Sequence, residues 1–257
     1  LDKNFIVITD PDLILSSAKQ LKKNIAVNIL DDINSKTISS KNKINILPIK
    51  LNVKNTPGKM NPKNSPFVIS AIETAANLCL KKKCSAMVTG PISKSVLNQA
   101  GYAISGHTEY LAKMCKTKSV MMLMNEEMKV ALHTTHVPLK NVNKYITKKS
   151  LIQTIEIIHN DLINKFHIKD PSILVTGLNP HAGENGYLGL EEKTIISPLI
   201  KKLQKKKFKI DGPCPADTAF LKKNIKKYDV ILTMYHDQGL PVIKFKDFKK
   251  TVNITLG

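Results

Sequence analysis

Two rhythms of apolar positions alternate along this chain. Residues 5–9 (Phe-Ile-Val-Ile-Thr) form a short strand-like run, and residues 11–23 carry apolar side chains at helical spacing. Further short strands are expected at 25–30 and 44–49. Residues 66–80 repeat apolar side chains at i, i+3 and i+4, which predicts a helix ended by Lys81-Lys82-Lys83. The run 85–89 reads as a buried strand that breaks at Gly90-Pro91 into a second helix over 93–99. Residues 120–124 and 128–134 read as paired strands with Asn125-Glu126-Glu127 as a tight connection. The longest helical pattern is 149–166, and 173–177, 228–234 and 252–256 complete the strand set. Such alternation predicts an α/β protein with a mainly parallel sheet and an antiparallel section.

Composition narrows the function classes. With 257 residues, 42% hydrophobic, the chain can bury a sizeable core and is not a disordered one. No apolar run approaches the roughly 20 residues that span a bilayer, and no signal-type amino-terminal stretch is seen. A soluble, cytoplasmic protein with no membrane partner is expected. The net charge of +20 invites a nucleic-acid reading, but all 40 basic residues are lysine. Nucleic-acid binders lean on the arginine fork and on aromatic stacking; here 5% of residues are aromatic and none is Trp. The lysines are scattered among abundant Ile and Asn, as codon bias would leave them, so no nucleic-acid partner is expected. Cys79, Cys84, Cys115 and Cys214 form no CxxC pair and read as reduced thiols, mostly core filler. The chain opens at Leu1 close to one strand-like run and stops at Gly257 just after another, so it looks cut at both ends.

Candidate chemistry falls where ligands bind in open α/β sheets, beyond the carboxyl ends of strands. Three strand-like runs each deliver a histidine to a following loop: His136, His181 and His236. As separate loop residues they need only backbone partners; gathered, three imidazoles suit Zn²⁺ or Co²⁺ better than Mg²⁺ or Ca²⁺. Asp237 either supports His236 or caps the turn at Gln238-Gly239. His133 has no assigned direction, and His159 and His167 read as solvated surface residues. His107 opens a helix after Ser105-Gly106, either as a capping neighbour or at an anion site. The glycines of 182–189 either let a phosphate approach the backbone or belong to an ordinary loop before a helix with acidic residues at its start. The 212–219 stretch reads as a rigid proline-set loop, in which Asp217 is a helix cap or a catalytic candidate.

Six segments taken together resemble one family. Thr89-Gly90-Pro91 with Lys94, Gly106-His107-Thr108-Glu109, Thr135-His136-Val137-Pro138-Leu139, Asn179-Pro180-His181-Ala182-Gly183-Glu184, Pro215-Ala216-Asp217-Thr218 and Tyr235-His236-Asp237-Gln238-Gly239 stand in the order of the PdxA family of 4-hydroxythreonine-4-phosphate dehydrogenases of vitamin B6 synthesis. The resemblance implies an isocitrate/isopropylmalate dehydrogenase-like α/β fold. Residues 1–257 would form a single catalytic unit of two intertwined lobes around a central cleft. It implies a homodimer whose metal ligands, matched here by His136, His181 and His236, come from both subunits. It matches His107, Thr108, Lys244 and Asn253 to substrate contacts, and it implies NAD or NADP as cofactor with one divalent ion per site, Zn²⁺ first and Co²⁺ or Mg²⁺ as alternatives. The implied reaction oxidises 4-phosphooxy-L-threonine at C3 and then releases CO₂. The general base stays open, with Asp217, a lysine or metal-bound water as candidates, and no residue is assigned to the cofactor. The alternatives are a dehydrogenase of another phosphorylated hydroxy acid, such as a four-carbon sugar-acid phosphate, and a non-catalytic metal- or ligand-binding remnant. The family's opening strand before Leu1 and its arginine-bearing segment after Gly257 lie outside this sequence.

Overall fold

A computed structural model describes residues 5–33, 38 and 43–257, which divide into two compact units, one reaching to Leu111 and one over Ala112–Gly257. In the first unit, β1 (Ile6–Thr9), β2 (Ala26–Ile29) and β3 (Lys43–Pro48) form a parallel sheet in the order β1-β3-β2. Asp10 starts α1 (Pro11–Gln20): its Oδ1 accepts the Asp12 N–H at 2.9 Å, and Pro11 fits the first turn, where no N–H is needed. Its Oδ2 accepts the Leu51 N–H at 2.8 Å and so ties the segment after β3 to the end of β1. Helix α2 (Ser65–Leu80) buries Ile69, Ile72 and Ala76, the i, i+3, i+7 stripe that its spacing predicts. Ser93 caps α3 (Lys94–Gln99), and α4 (His107–Met114) follows. Ile69, Leu97 and Ile104 form a small core.

The run 85–89 is not a strand. Its backbone joins no ladder, and Val88 is 99% exposed. An apolar run becomes a strand only where a neighbour takes its hydrogen bonds, and neither β1 nor β2, the sheet's edges, pairs with it.

The second unit is built on a six-stranded sheet. Along the chain come β4 (Val120–Met124), β5 (Lys129–Leu132), α5 (Val142–Tyr145), α6 (Lys148–Asn164), β6 (Ser172–Thr176), α7 (Ser197–Lys205), β7 (Lys209–Cys214), α8 (Ala216–Ala219), α9 (Lys222–Lys227), β8 (Val230–Thr233), α10 (His236–Lys246) and β9 (Val252–Leu256). The strand order is β7-β6-β8-β5-β4-β9. The first four are mutually parallel, whereas β4 runs antiparallel to both β5 and β9. The expected mixed α/β class with its antiparallel section is therefore what the chain adopts. Asn125 makes the β4–β5 turn, its Oδ1 accepting the Glu127 and Met128 N–H groups at 3.0 Å.

The sheet is buried on both faces. Ile173, Val175, Val230 and Leu232 pack on one side against Leu151, Ile155, Ile158 and Leu162 of α6 and Leu199, Ile200 and Leu203 of α7. On the other side Val130 and Leu132 meet Leu240 and Ile243 of α10, and Leu174 and Ile231 meet Ala219 of α8. The stretch expected as a rigid loop at 212–219 begins instead as the end of β7. Pro213 is tolerated because β7 is an edge strand, with no strand beside it on one side among the described residues. None of the four cysteines is fully buried core filler; Cys115 is exposed and the others are half-buried. Among the described residues, no helix is long and apolar enough to cross a membrane.

Candidate active site

Parallel pairing decides what shares an edge. Because β7, β6, β8 and β5 all point the same way, their carboxyl ends open onto one side of the sheet. In that order across the edge, the loops beyond them carry Asp217, His181, His236 and His136.

His136 and His236 are neighbours because β5 and β8 are. Their ring centroids lie 5.8 Å apart at an interplanar angle of 44°. With metal–nitrogen bonds of about 2.0–2.1 Å, two imidazoles on one ion bring their centroids about 5–6 Å apart, so this pair fits a shared cation. His236 is further disposed for it. Its Nδ1 bonds Asp237 Oδ1 at 2.6 Å, which leaves Nε2 as the free donor atom, the usual carboxylate–histidine support of a metal ligand. His181 does not join the pair within one chain: among the described residues, no three His, Cys, Asp or Glu side chains gather where they could hold one ion.

His181 stands instead on a backbone of unusual hand. Residues His181 to Asn185 all have positive φ, at 50°, 52°, 78°, 41° and 57°. Glu192, 4% exposed, supports this turn from beneath. Its Oε1 accepts the N–H groups of Leu178 and Asn179 at 2.7 and 2.8 Å, and its Oε2 accepts from Asn179 Nδ2 at 3.0 Å. The absence of a side chain at Gly183 makes room for it: a Cβ there would lie 2.5 Å from Glu192 Oε2. The clearance at Gly183 is thus filled by the Glu192 carboxylate. Helix α8, which carries the exposed Asp217, packs against the same turn.

His133 is no ligand. It is 7% exposed, with Nδ1 at 3.0 Å from Thr154 Oγ1 and Nε2 at 3.0 Å from the Tyr145 carbonyl. Burial, helped by the Lys118 ammonium and opposed by the Tyr145 carbonyl, pushes its pKa down to about 4. His159, expected in solvent, is half-buried against Phe208 with centroids 4.4 Å apart, while His167 is exposed. His107 opens α4 with its Nε2 buried and without a hydrogen-bond partner among the described residues, and Thr108 beside it is exposed.

Lys244 and Asn253 are not brought to the histidine edge. Lys244 lies eight residues along α10 from His236, about 12 Å at the helical rise. Asn253 pairs with Leu123 near the start of β9, and there the β4–β5 turn marks the amino end of β5. Both are exposed.

Beneath the edge run residues that the sequence pattern did not single out. Glu192 reads along the chain as an acid at a helix start, and its only local signal is the pair of glycines, Gly177 and Gly183, that crowd its carboxylate. Gln238 reads as part of a turn, yet its side chain bonds three groups on two strand ends.

A family model described as pyridoxal phosphate biosynthetic protein PdxA matches residues 2–257. The chain belongs to the PdxA family. A Methylococcus capsulatus relative named 4-hydroxythreonine-4-phosphate dehydrogenase is 43% identical over 251 residues, covering 98% of this chain and 76% of the relative. The crystal structure of 4-hydroxythreonine-4-phosphate dehydrogenase from Klebsiella pneumoniae superposes with a TM-score of 0.82 at 31% identity, over 98% of this chain and 78% of that one. A terephthalate 1,2-cis-dihydrodiol dehydrogenase from Burkholderia xenovorans shares the PdxA fold at 17% identity, with a TM-score of 0.67 over 98% of this chain and 85% of that one. Relatives of this PdxA chain are thus oxidoreductases by name.

Proposed function

We propose that this chain catalyses the NAD⁺- or NADP⁺-linked oxidation of 4-phosphooxy-L-threonine at C3, followed by loss of CO₂ to give 3-amino-2-oxopropyl phosphate, in pyridoxal phosphate biosynthesis. The observation that carries the reading is the His136–His236 pair, with rings 5.8 Å apart at the carboxyl edge of a parallel sheet in a PdxA-family chain. His136, His181 and His236 would hold a divalent ion, Zn²⁺ fitting an all-imidazole set best and Co²⁺ or Mg²⁺ standing as alternatives. When bound, that ion supplies Lewis acidity at the substrate's C3 oxygen. A bound nicotinamide would supply the acceptor for the C3 hydride, and the hydroxyl proton would pass to a base.

The chain's own residues do the rest. Asp237 holds the His236 ring by Nδ1, which fixes the tautomer. The Asp217 carboxylate, exposed at the end of β7, is the candidate acceptor of the hydroxyl proton. His107 and Thr108, at the amino end of α4, and the Lys244 ammonium would hold the dianionic phosphate, with Asn253 orienting the rest of the substrate. Lys244 and Asn253 stand away from the histidine edge of their own chain. The reading therefore requires a homodimer in which histidines and substrate contacts drawn from both subunits meet, the two units of each chain working as one catalytic body.

The test is reduction of NAD⁺ and NADP⁺ by the purified protein with 4-phosphooxy-L-threonine and added Zn²⁺, Co²⁺ or Mg²⁺, alongside a four-carbon sugar-acid phosphate. Turnover with the threonine derivative is expected, as is loss of both metal retention and turnover in His181→Ala with the dimer still folded. Full turnover in that variant would overturn the ligand assignment. Preference for the sugar-acid phosphate would overturn the substrate.

A further inference from the structure

Gln238 lies two residues beyond His236 and takes no part in the proposed ligand set. We infer that Gln238 is a positioning residue that fixes the end of β8, which bears His236, against its neighbouring strand ends, and through it the metal affinity of the His136–His236 pair. The inference rests on the reading of those histidines as ligands.

The backbone ladder between β6 and β8 runs only as far as Val175 opposite Leu232. Past that point the two strands must part to feed different loops. The Gln238 side chain, reaching back from the first turn of α10, supplies the missing rungs. Its Oε1 accepts the Met234 N–H at 2.7 Å and the Thr176 hydroxyl at 2.8 Å, and its Nε2 donates to the Gly177 carbonyl at 2.7 Å. Neighbouring bonds continue the line in both directions. The Gly177 N–H donates to the Cys214 carbonyl at 2.8 Å, and the Met234 carbonyl accepts from Thr134, from its N–H at 3.1 Å and its hydroxyl at 2.8 Å. One row of hydrogen bonds thus crosses the ends of β7, β6, β8 and β5, directly below the loops of Asp217, His181, His236 and His136. Gln238 is its central link.

The chemistry demands this side chain. The position needs one oxygen that accepts two bonds beside an N–H donor on the same planar group, which the amides of Asn and Gln provide, and Asn is one methylene short. A carboxylate would set a second acceptor against the Gly177 carbonyl. A thioether would leave both strand ends unbonded. The backbone of Gln238 is also held in place: a Cβ on Gly239 would come within 2.7 Å of Val130 Cγ1 and 2.8 Å of Thr233 Oγ1, so α10 sits hard on β5 and β8. Supports of this kind typically carry about 10- to 100-fold in metal affinity.

The experiment compares the intact protein with Gln238→Met and Gln238→Glu by Co²⁺ titration followed through its visible absorption, by hydrogen exchange at the Met234 amide, and by melting of the metal-free protein. Gln238→Met is expected to weaken Co²⁺ binding about 10- to 100-fold, to alter the absorption band and to speed exchange at Met234. Gln238→Glu, which keeps both Oε1 bonds, should fall between it and the parent, and it carries the test should Gln238→Met fail to fold. Parental Co²⁺ affinity and band shape in a folded variant, with lowered melting as the sole effect, would overturn the positioning role and leave the metal reading intact. Failure of the unaltered protein to bind Co²⁺ would overturn the metal reading, and this inference with it.

Discussion

Acidification should strip stability from this protein through one side chain, His133. The imidazole lies under the end of β5, three residues before His136, wedged between α6 and the turn at Tyr145. A carbonyl only accepts, so Nε2 carries the proton given to Tyr145, and the neutral ring offers Nδ1 to the Thr154 hydroxyl. A second proton would leave Nδ1 facing a hydroxyl that already receives a bond from the Lys118 ammonium at 2.8 Å. Burial and that ammonium hold the folded pKa at about 4, against the ordinary 6.5 of the unfolded chain. Between those values the unfolded state binds the extra proton and the folded state does not. The contribution is therefore complete above about pH 6.5 and is lost as pH falls toward 4. The gap is worth about 3 kcal/mol in all, of which about 2 kcal/mol is gone by pH 5. Urea unfolding at pH 7.5, 6, 5 and 4 would measure it in the parent and in His133→Gln, which cannot titrate but keeps a donor for the Tyr145 carbonyl. Carboxylates common to both proteins subtract out. The parent should lose about 2 kcal/mol more than the variant between pH 7.5 and pH 5. Parallel curves, or an imidazole resonance of His133 titrating near 6.5, would refute the argument.

Two further outcomes follow from packing. Gly183→Ala places a Cβ 2.5 Å from Glu192 Oε2 at a φ of +78°, so it should destabilise by about 2–3 kcal/mol and open the 181–185 turn, seen as faster amide exchange at Leu178 and Asn179. Unchanged exchange would mean that Glu192 does not brace the turn. Leu232→Ala, at a fully buried position in the central strand β8, should cost about 2–5 kcal/mol, and each kcal/mol should lower the melting temperature by about 2–4 °C.

Legibility along the chain followed burial. Strand β8 is buried on both faces and shows as an unbroken apolar run, and the α6 stripe of Leu151, Ile155, Ile158 and Leu162 repeats at helical spacing. Edge strand β7 was hidden because a half-exposed strand can mix Lys209, Asp211, Gly212 and Pro213 with one buried residue, Ile210. Helix α10 was hidden by Gly239 and Pro241, which argue against a helix locally and are overruled by the seating of Leu240 and Ile243 in the core. The run 85–89 erred in the other direction, since apolar residues alone do not supply a partner strand. The histidines were legible as ends of runs. That His136 meets His236 was not, because adjacency of β5 and β8 joins segments a hundred residues apart through sheet order, which no local pattern encodes. Glu192 and Gln238 were invisible for the same reason: each acts on backbone groups distant in sequence, and neither type nor spacing distinguishes such a residue from a solvated one.

The His181 turn shows how this edge combines rigidity with an unfavourable backbone. Left-handed conformation costs an L-residue about 1–2 kcal/mol, so His181, Ala182, Glu184 and Asn185 together set about 4–8 kcal/mol against the turn. Such a segment persists only where its surroundings over-determine it. Glu192 accepts three hydrogen bonds on a buried carboxylate, and at about 1.5–3 kcal/mol for each bond to a charged group these offset the strain. The balance has a consequence for chemistry. The three Glu192 bonds are made in this one arrangement, so His181 is held out into solvent by the fold itself rather than by anything it binds. The Thr176 and Thr233 side chains, wholly buried one layer down, give the same edge a packed floor. Exposed donors on a braced floor are what a binding site needs: side chains already standing in place lose little freedom when a ligand arrives.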